Sequence, residues 1–332
     1  MDTQDPYPSL TSWMAGANPA HPLLPLIEAD RESEHPYSYA RSILGPFNEI
    51  IALLESARPL RLETECSDFR SAATQDELLI TRAELVTAAK LARHHVGFDF
   101  GKRGKNPEPD LLLRGVDLAI EVKARRLNGL EDLVEELKAA LAENDAVTVY
   151  VGCGERPLCI KPARRAELLA QAMECVSAGG GGFVADLDQP WAASPRLQLS
   201  IRVFPQPPVP GGSKVVVEGG WELGGHLKDA AAAVLAVLED PQKVRQAESR
   251  PTILLVDAAR TGLAWIRPPR IWARMLADAL PQETAFIGCA VMIPSLDSAD
   301  VPISLALRAS ADPVHLQAAA QFAGDLGLGP MP

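Results

Sequence analysis

The spacing of apolar residues along the chain predicts a helix, three strands, a helix and a fourth strand. Residues 41–57 and 75–96 carry apolar side chains three or four positions apart, which is typical of helices with one buried face. Three short strand-like segments follow: 96–100, 110–113 and 117–123. Helical spacing returns at 131–143, and 146–153 is strand-like. This order predicts a compact α/β unit.

The two ends of the chain are less regular. Residues 1–40 are rich in Pro, Ser, Asp and Glu, which predicts a loosely structured N-terminal arm. Residues 41–153 would then form a helical segment and the α/β core. Residues 154–332 would extend the core or form a second α/β domain. Helical or strand-like segments predicted there are 164–176, 196–204, 226–240, 252–258, 284–293 and 301–309.

The sequence leaves two candidates for the helix and strand that follow the third strand in the core. The second helix and fourth strand of the core are either 131–143 and 146–153, or 226–240 and 252–258. In the second case, residues 131–225 are a large insertion.

Composition excludes some classes of protein. The chain has 332 residues, of which 47% are hydrophobic and 23% charged, so it can bury a core. Its net charge of -11 argues against a surface that binds nucleic acid everywhere, although a local basic groove remains compatible with it. No apolar run is long enough for a transmembrane helix, and the N-terminus lacks the features of a signal peptide. We therefore expect no membrane partner. The five Cys are odd in number and form no C-x-x-C pair, so we expect free thiols and a cytoplasmic protein.

The segment 106–126 carries the most informative polar pattern. Alternate residues of a strand share a face, so Leu118, Ile120 and Val122 are expected to point into a core. The opposite face would carry Asp117, Ala119, Glu121, Lys123 and Arg125. A short turn would bring Asp110, on the preceding strand, beside Glu121.

Two carboxylates and an ammonium in this arrangement suit metal-assisted hydrolysis of a phosphodiester. Asp110 and Glu121 can hold Mg²⁺, which prefers oxygen ligands, and the backbone carbonyl of Val122 can be a further ligand. Such a metal lowers the pKa of a bound water and stabilises charge on the phosphate. Lys123 can orient the attacking water and stabilise the developing negative charge.

Pro109-Asp110 and Glu121-Val122-Lys123 resemble the motif of the PD-(D/E)xK nuclease superfamily. The resemblance covers about residues 75–153. It implies a restriction-endonuclease-like core, with a central mixed sheet flanked by helices and additional α/β elements outside it. It also implies Asp110 and Glu121 as metal ligands, Lys123 as the catalytic lysine, Mg²⁺ or Mn²⁺ as cofactor, and DNA more often than RNA as substrate. Glu84 stands where the family often has a further acidic ligand.

Each of these residues also has a purely structural explanation. Glu121 and Lys123 can be a solvated ion pair on an amphipathic strand, and Asp110 can be a turn residue after proline. Thr81 and Glu84 fit a capping box, which would place Glu84 at the start of a helix. The apolar stripe from Leu78 favours an earlier start.

The local charge around the motif is basic. Residues 82–126 contain ten Lys or Arg and six Asp or Glu, a net +4 in a chain of net -11. Phosphate contacts are made largely by such side chains, so this segment is a candidate nucleic-acid interface, although a solvated basic loop explains it equally well. The candidate contacts are Lys102, Arg103, Lys105, Arg125 and Arg126.

The sequence therefore predicts a metal-dependent nuclease that hydrolyses phosphodiester bonds, in DNA before RNA. A role in bacterial defence or DNA processing follows from family analogy alone, as does assembly as a homodimer or with other defence proteins. One alternative is a non-catalytic nuclease-like binding or assembly subunit. Another is an unrelated small-molecule enzyme, in which Asp110, Glu121 and Lys123 would not cluster.

Overall fold

A computed structural model gives the fold. It describes residues 5–33, 38–104, 108–124, 129–144, 146–154, 160–188, 196–208, 214–218, 238, 241–258, 271–272, 274–276, 280–281, 284–293 and 295–328.

In chain order the elements begin with five helices and three strands: α1 (Pro8–Met14), α2 (Leu24–Glu32), α3 (Tyr39–Ala57), α4 (Leu62–Ser71), α5 (Gln75–Arg93), β1 (Phe98–Phe100), β2 (Leu111–Leu113) and β3 (Ala119–Ala124). Next come α6 (Gly129–Ala140), β4 (Thr148–Cys153), α7 (Pro162–Ser177), β5 (Gly181–Asp188), β6 (Arg196–Phe204) and β7 (Val215–Glu218). The last are α8 (Pro241–Ser249), β8 (Thr252–Asp257), β9 (Gly288–Met292), β10 (Ile303–Leu307) and α9 (Pro313–Asp325).

The chain divides into two units, and their limits differ from those predicted. The first unit comprises residues 1–125, 237–260 and 264–332, and the second comprises 126–236 and 261–263. The chain thus leaves the first unit directly after β3 and returns directly before α8. The predicted boundary at 153 separates residues that belong to one unit.

The first unit contains a mixed sheet of six strands in the order β1-β2-β3-β8-β9-β10. β1, β2 and β3 pair antiparallel, β3, β8 and β9 pair parallel, and β10 returns antiparallel to β9. The α/β class predicted from the sequence is confirmed.

The parallel neighbour of β3 is β8, so the second of the two alternatives for this strand is correct. Burial explains why. All six residues of β8 are buried, as expected for a strand inside a sheet that is covered on both faces. β4 alternates between buried and partly exposed residues, which suits a sheet covered on one face. β4 accordingly lies in the other unit. The helix predicted at 226–240 lies outside the described residues apart from Leu238.

Helices pack on the six-stranded sheet and bury the predicted apolar face of β3. Ile120 and Val122 join one cluster with Leu44 and Phe47 of α3 and Leu85 of α5. The same cluster corrects the prediction of a loose N-terminal arm: Leu10, Trp13 and Leu23 are buried in it. The short apolar runs of residues 1–40 are enough for α1 and α2 to dock on the core.

The second unit has its own sheet of four strands, in the order β5-β6-β4-β7. Leu133 and Leu137 of α6 and Leu168 of α7 pack with Val149 and Ile201 of this sheet in a separate apolar cluster. Throughout the described residues, every helix is too short or too polar to span a lipid bilayer.

Candidate functional site

Asp110 is held directly before β2 by two hydrogen bonds from backbone N–H groups. Its Oδ2 accepts the N–H of Val122 on β3 at 2.8 Å, and its carbonyl accepts the N–H of Gly101 at 2.8 Å. A Cβ on Gly101 would lie 1.9 Å from the carbonyl oxygen of Pro109, so only glycine allows this approach. In the antiparallel register that pairs Leu111 with Ile120, the position opposite Glu121 is that of Asp110, directly before β2. The side chain of Asp110 therefore closes the end of the hairpin.

Glu121 is fully buried, with 0% of its side chain exposed, although it lies on the face of β3 opposite the apolar cluster. Helix α8 covers that face: Lys243 donates a close hydrogen bond to Glu121 Oε1, and Arg250 contacts Asp117 at 2.9 Å. The interpretation of Glu121 as half of a solvated Glu121–Lys123 pair is therefore wrong. A carboxylate in this position needs a cation, because transfer of an unpaired charge into the interior is very costly.

Lys123 lies two residues further along β3 and is half-buried. It makes no ion pair with any described residue. Burial raises the pKa of Asp110, and the nearby charges of Lys243, Arg103 and Lys123 oppose that rise. Lys123 therefore acts on Asp110 through its field, and its ammonium is free to meet another anion.

Three buried carboxylates converge on Arg103, which lies in the loop after β1. Its Nη1 lies 3.3 Å from Asp110 Oδ1, and its Nη2 lies 3.2 Å from Glu65 Oε1 on α4 and makes a close contact with Glu84 Oε2 on α5. Arg103 was predicted to bind nucleic acid. Its guanidinium neutralises internal carboxylates and 42% of the side chain is exposed, so the contact with nucleic acid stays a prediction.

Helix α5 supplies Glu84 from its middle, not from its start. The helix begins after Thr74, whose side chain accepts the N–H of Glu77 while Glu77 bonds back to Thr74. The capping box is therefore Thr74 and Glu77, and the capping role considered for Glu84 is wrong. Residues 82–91 are all buried, so the middle of α5 lies inside the fold and Glu84 is buried with it.

Burial and two neighbouring carboxylates raise the affinity of Glu84 for a proton. Burial raises the pKa of Glu84 well above its usual value, and the charges of Asp110 and Glu65 raise it further against the opposing charge of Arg103. Burial also raises the pKa of Glu65. This strain is typical of functional sites, where charges are held together against their mutual repulsion.

The remaining predicted contacts to nucleic acid are only partly described. Lys102 is exposed, and its backbone N–H bonds Glu108 at 2.8 Å. Lys105, Arg125 and Arg126 lie outside the described residues, so their role stays a prediction.

The oxygen atoms around Asp110 suit a hard cation such as Mg²⁺. Glu121 Oε2 is buried and has no donor among the described residues. The N–H of Ala119 faces β8, so by alternation the N–H and carbonyl of Val122 face the β2 side, where Asp110 lies. Asp110, Glu121 and this carbonyl therefore fit the predicted donor set.

A larger ligand set is not formed. Within the described part of the chain, no three His, Cys, Asp or Glu side chains are placed to hold one metal ion together. The reason is visible in the contacts: Asp110, Glu65 and Glu84 face Arg103, whereas Glu121 faces Lys243.

Two residues of the site were not predicted from the sequence. Glu65 lies in α4, a polar helix with several acidic residues, and nothing in its sequence distinguishes Glu65 from the others. Lys243 lies on α8, a segment without an apolar stripe strong enough to identify it as a helix.

Comparisons of the chain with protein-family models, with curated proteins and with solved structures give no match in any of the three.

Proposed function

We propose that this protein is a metal-dependent nuclease that hydrolyses phosphodiester bonds, in DNA before RNA, on a restriction-endonuclease-like core. The observation that carries the proposal is the bond from the Val122 amide to Asp110, which fixes that carboxylate beside Glu121 and Lys123. Carboxylates held at the end of a hairpin, with an ammonium beside them, suit phosphodiester chemistry at a hard cation.

The arrangement of the sheet is compatible with such a core. Helix α5 precedes the antiparallel strands β1, β2 and β3, and α8 precedes the parallel strand β8. This is the helix–strand–strand–strand–helix–strand order of the resemblance, with the second unit inserted after β3. The site lies where β2 begins, and both helices contribute side chains to it.

Each side chain has a separate task in the proposed reaction. Asp110, Glu121 and the Val122 carbonyl would hold Mg²⁺ or Mn²⁺, which when bound acts as a Lewis acid and lowers the pKa of water. Lys123 stabilises negative charge that develops on the phosphate, because its ammonium has no internal partner among the described residues. Glu84 shares the guanidinium of Arg103 with Asp110 and so helps to hold this arginine in place.

The direct test is cleavage of plasmid, single-stranded DNA and RNA by the purified chain. We expect turnover with Mg²⁺ or Mn²⁺ and none with EDTA. Asp110→Asn should abolish turnover, because it removes half of the carboxylate charge that holds the cation. The matched control is Asp117→Asn, which removes an exposed carboxylate beside β3 and should retain turnover. Equal turnover by Asp110→Asn and wild type would refute the proposed site.

A second prediction concerns the exposed cation next to Arg103. Lys102→Ala should weaken DNA binding and reduce the slope of log K against log salt by about 0.9, the value for one lost phosphate contact. Lys138→Ala is the control, because it also removes an exposed lysine but lies in α6. Binding titrations in Ca²⁺ at several salt concentrations measure both slopes. Identical slopes for the three proteins would show that Lys102 does not contact the backbone.

A non-catalytic binding or assembly subunit is the second candidate. The contacts that favour it are those of Arg103 and Lys243, which already neutralise the carboxylates of the site. Such a protein would bind nucleic acid or a partner without cleavage. Absence of turnover on all three substrates, together with retained DNA binding, would favour this function over the nuclease.

A further inference from the structure

Helix α8 presents one polar face to the site. Lys243, Gln246 and Arg250 are three and four residues apart, so they share a side of the helix and of the turn that follows it. Their partners are Glu121, the carbonyl of Glu108 at 3.1 Å and Asp117. Helix α8 therefore runs along β3 and lies over the ends of both strands that carry the predicted ligands.

Lys243 interacts with both predicted carboxylate ligands. Its ammonium bonds Glu121 Oε1 directly, and only 14% of its side chain is exposed. Burial raises the pKa of Asp110, and among the charges that oppose this rise Lys243 acts most strongly, ahead of Arg103 and Lys123. The cation that bonds Glu121 directly is thus Lys243, although the sequence motif points to Lys123.

Two buried acceptors beside Lys243 are unused. Glu121 Oε2 and Gln246 Oε1 find no donor among the described residues. A buried acceptor without a donor destabilises the folded protein, so the carboxylate of Glu121 has a capacity to bind that Lys243 does not fill. The unpaired Oε2 belongs to the same carboxylate that Lys243 bonds through Oε1.

We propose that Lys243 is a positioning residue that occupies Glu121 when no metal is bound and that competes with a divalent cation for this carboxylate. The ammonium and the cation both need Glu121, and two cations side by side repel each other. Entry of the divalent cation therefore requires Lys243 to withdraw from Glu121 Oε1. The inference rests on the cation site of the proposed nuclease, but it requires no nucleic acid.

The competition has two consequences that a purely structural lysine would not have. Removal of the ammonium should tighten cation binding, because the competitor is lost. Removal should also lower the stability of the metal-free protein, because Glu121 is left buried and unpaired. Added divalent cation should then restore stability, since a ligand that binds the folded state stabilises it.

The experiment is titration of the full chain with Mn²⁺, without nucleic acid, by calorimetry and by thermal melts. We expect Lys243→Gln, which keeps an N–H donor but no charge, to bind Mn²⁺ about 10–100-fold more tightly than wild type, the range over which neighbours of metal ligands alter affinity. Lys243→Arg keeps the charge and should bind as wild type does. Lys123→Gln, the matched control on β3, should change the affinity less than Lys243→Gln.

Each outcome decides the proposal. Tighter Mn²⁺ binding by Lys243→Gln, together with a larger rise of Tm on Mn²⁺ addition, supports it. Equal or weaker binding by a folded Lys243→Gln overturns it. If Lys243→Gln folds only poorly, refolding by Mn²⁺ but not by NaCl of equal ionic strength supports the proposal, and refolding by neither overturns it. Cleavage is assayed separately, so a chain that binds Mn²⁺ as expected but cleaves nothing refutes only the nuclease.

Discussion

We expect Lys123→Ala to lower metal-dependent cleavage by about 10²–10³-fold, the usual cost of removing one positioned electrostatic group. The loss should fall on the chemical step, because Lys123 has no ion pair with the described residues and acts beside Asp110. Folding should change little, by about 0–1 kcal/mol, since no bonded partner is left behind.

Single-turnover cleavage and urea unfolding of the same preparations measure the two effects. Lys138→Ala is the control for the loss of a lysine, because it removes an exposed ammonium from the other unit. Wild-type turnover by a folded Lys123→Ala would exclude this residue from the mechanism. Turnover that is lost in Lys123→Ala but retained in Lys123→Arg would show that a positive charge at this position is sufficient.

Arg103→Ala should lower the free energy of unfolding by about 3 kcal/mol. Removal of one partner of a buried ion pair typically costs about 3–5 kcal/mol, because the other partner is left uncompensated. The lower end applies here, since 42% of the Arg103 side chain is exposed and water can partly replace it. The carboxylates left behind are those of Glu65, Glu84 and Asp110, all buried.

The loss in Arg103→Ala should depend on pH in a definite direction. Burial first, and then neighbouring carboxylates, raise the pKa of Glu84 above its usual value, whereas Arg103 lowers it. A raised pKa means that the folded state binds more protons than the unfolded state between about pH 4 and the raised value. Stability therefore falls as the pH rises through that window. Without Arg103 the pKa rises further, so the destabilisation is greatest at alkaline pH and shrinks towards pH 4.

Urea unfolding at pH 5 and pH 8 tests this. Arg114→Ala is the matched control, because its partner Asp99 lies near the surface. The hydrogen bond from Arg114 lowers the pKa of Asp99. That exposed pair should contribute no more than about 1 kcal/mol, with little difference between the two pH values. A loss in Arg103→Ala that is larger at pH 5 than at pH 8 would contradict the buried carboxylate cluster.

Local patterns in the sequence were sufficient for the hairpin and its two faces. The alternation from Leu118 to Val122 predicted the apolar face, and both Ile120 and Val122 are buried on it. The apolar stripe of α5 also predicted the helix and its buried positions Leu78, Leu85 and Ala89. Burial is not limited to one face, however, because residues 82–91 are all buried. These features depend on the period of one element and on its immediate neighbours, which is the information that a single sequence carries most directly.

The partners of the charged residues could not be predicted in the same way. Glu121 looked solvated because its face of β3 is polar, and only the placement of α8 shows that it is covered. Arg103 looked like a surface cation because nothing in its loop marks Glu65 and Glu84 as neighbours. Such pairs are set by tertiary contacts between elements far apart in sequence, which no local period encodes.

The insertion between β3 and α8 has a consequence for synthesis of the chain. Glu121 and the lysine that neutralises it are 122 residues apart in sequence. At about 5–20 residues per second, the ribosome needs roughly 6–24 s to make the intervening segment. During this interval the hairpin of β2 and β3 can form, but it has neither its parallel neighbour nor the counter-charge of Glu121. In the nascent first unit, α8 therefore cannot cover and neutralise Glu121 until the second unit has been made.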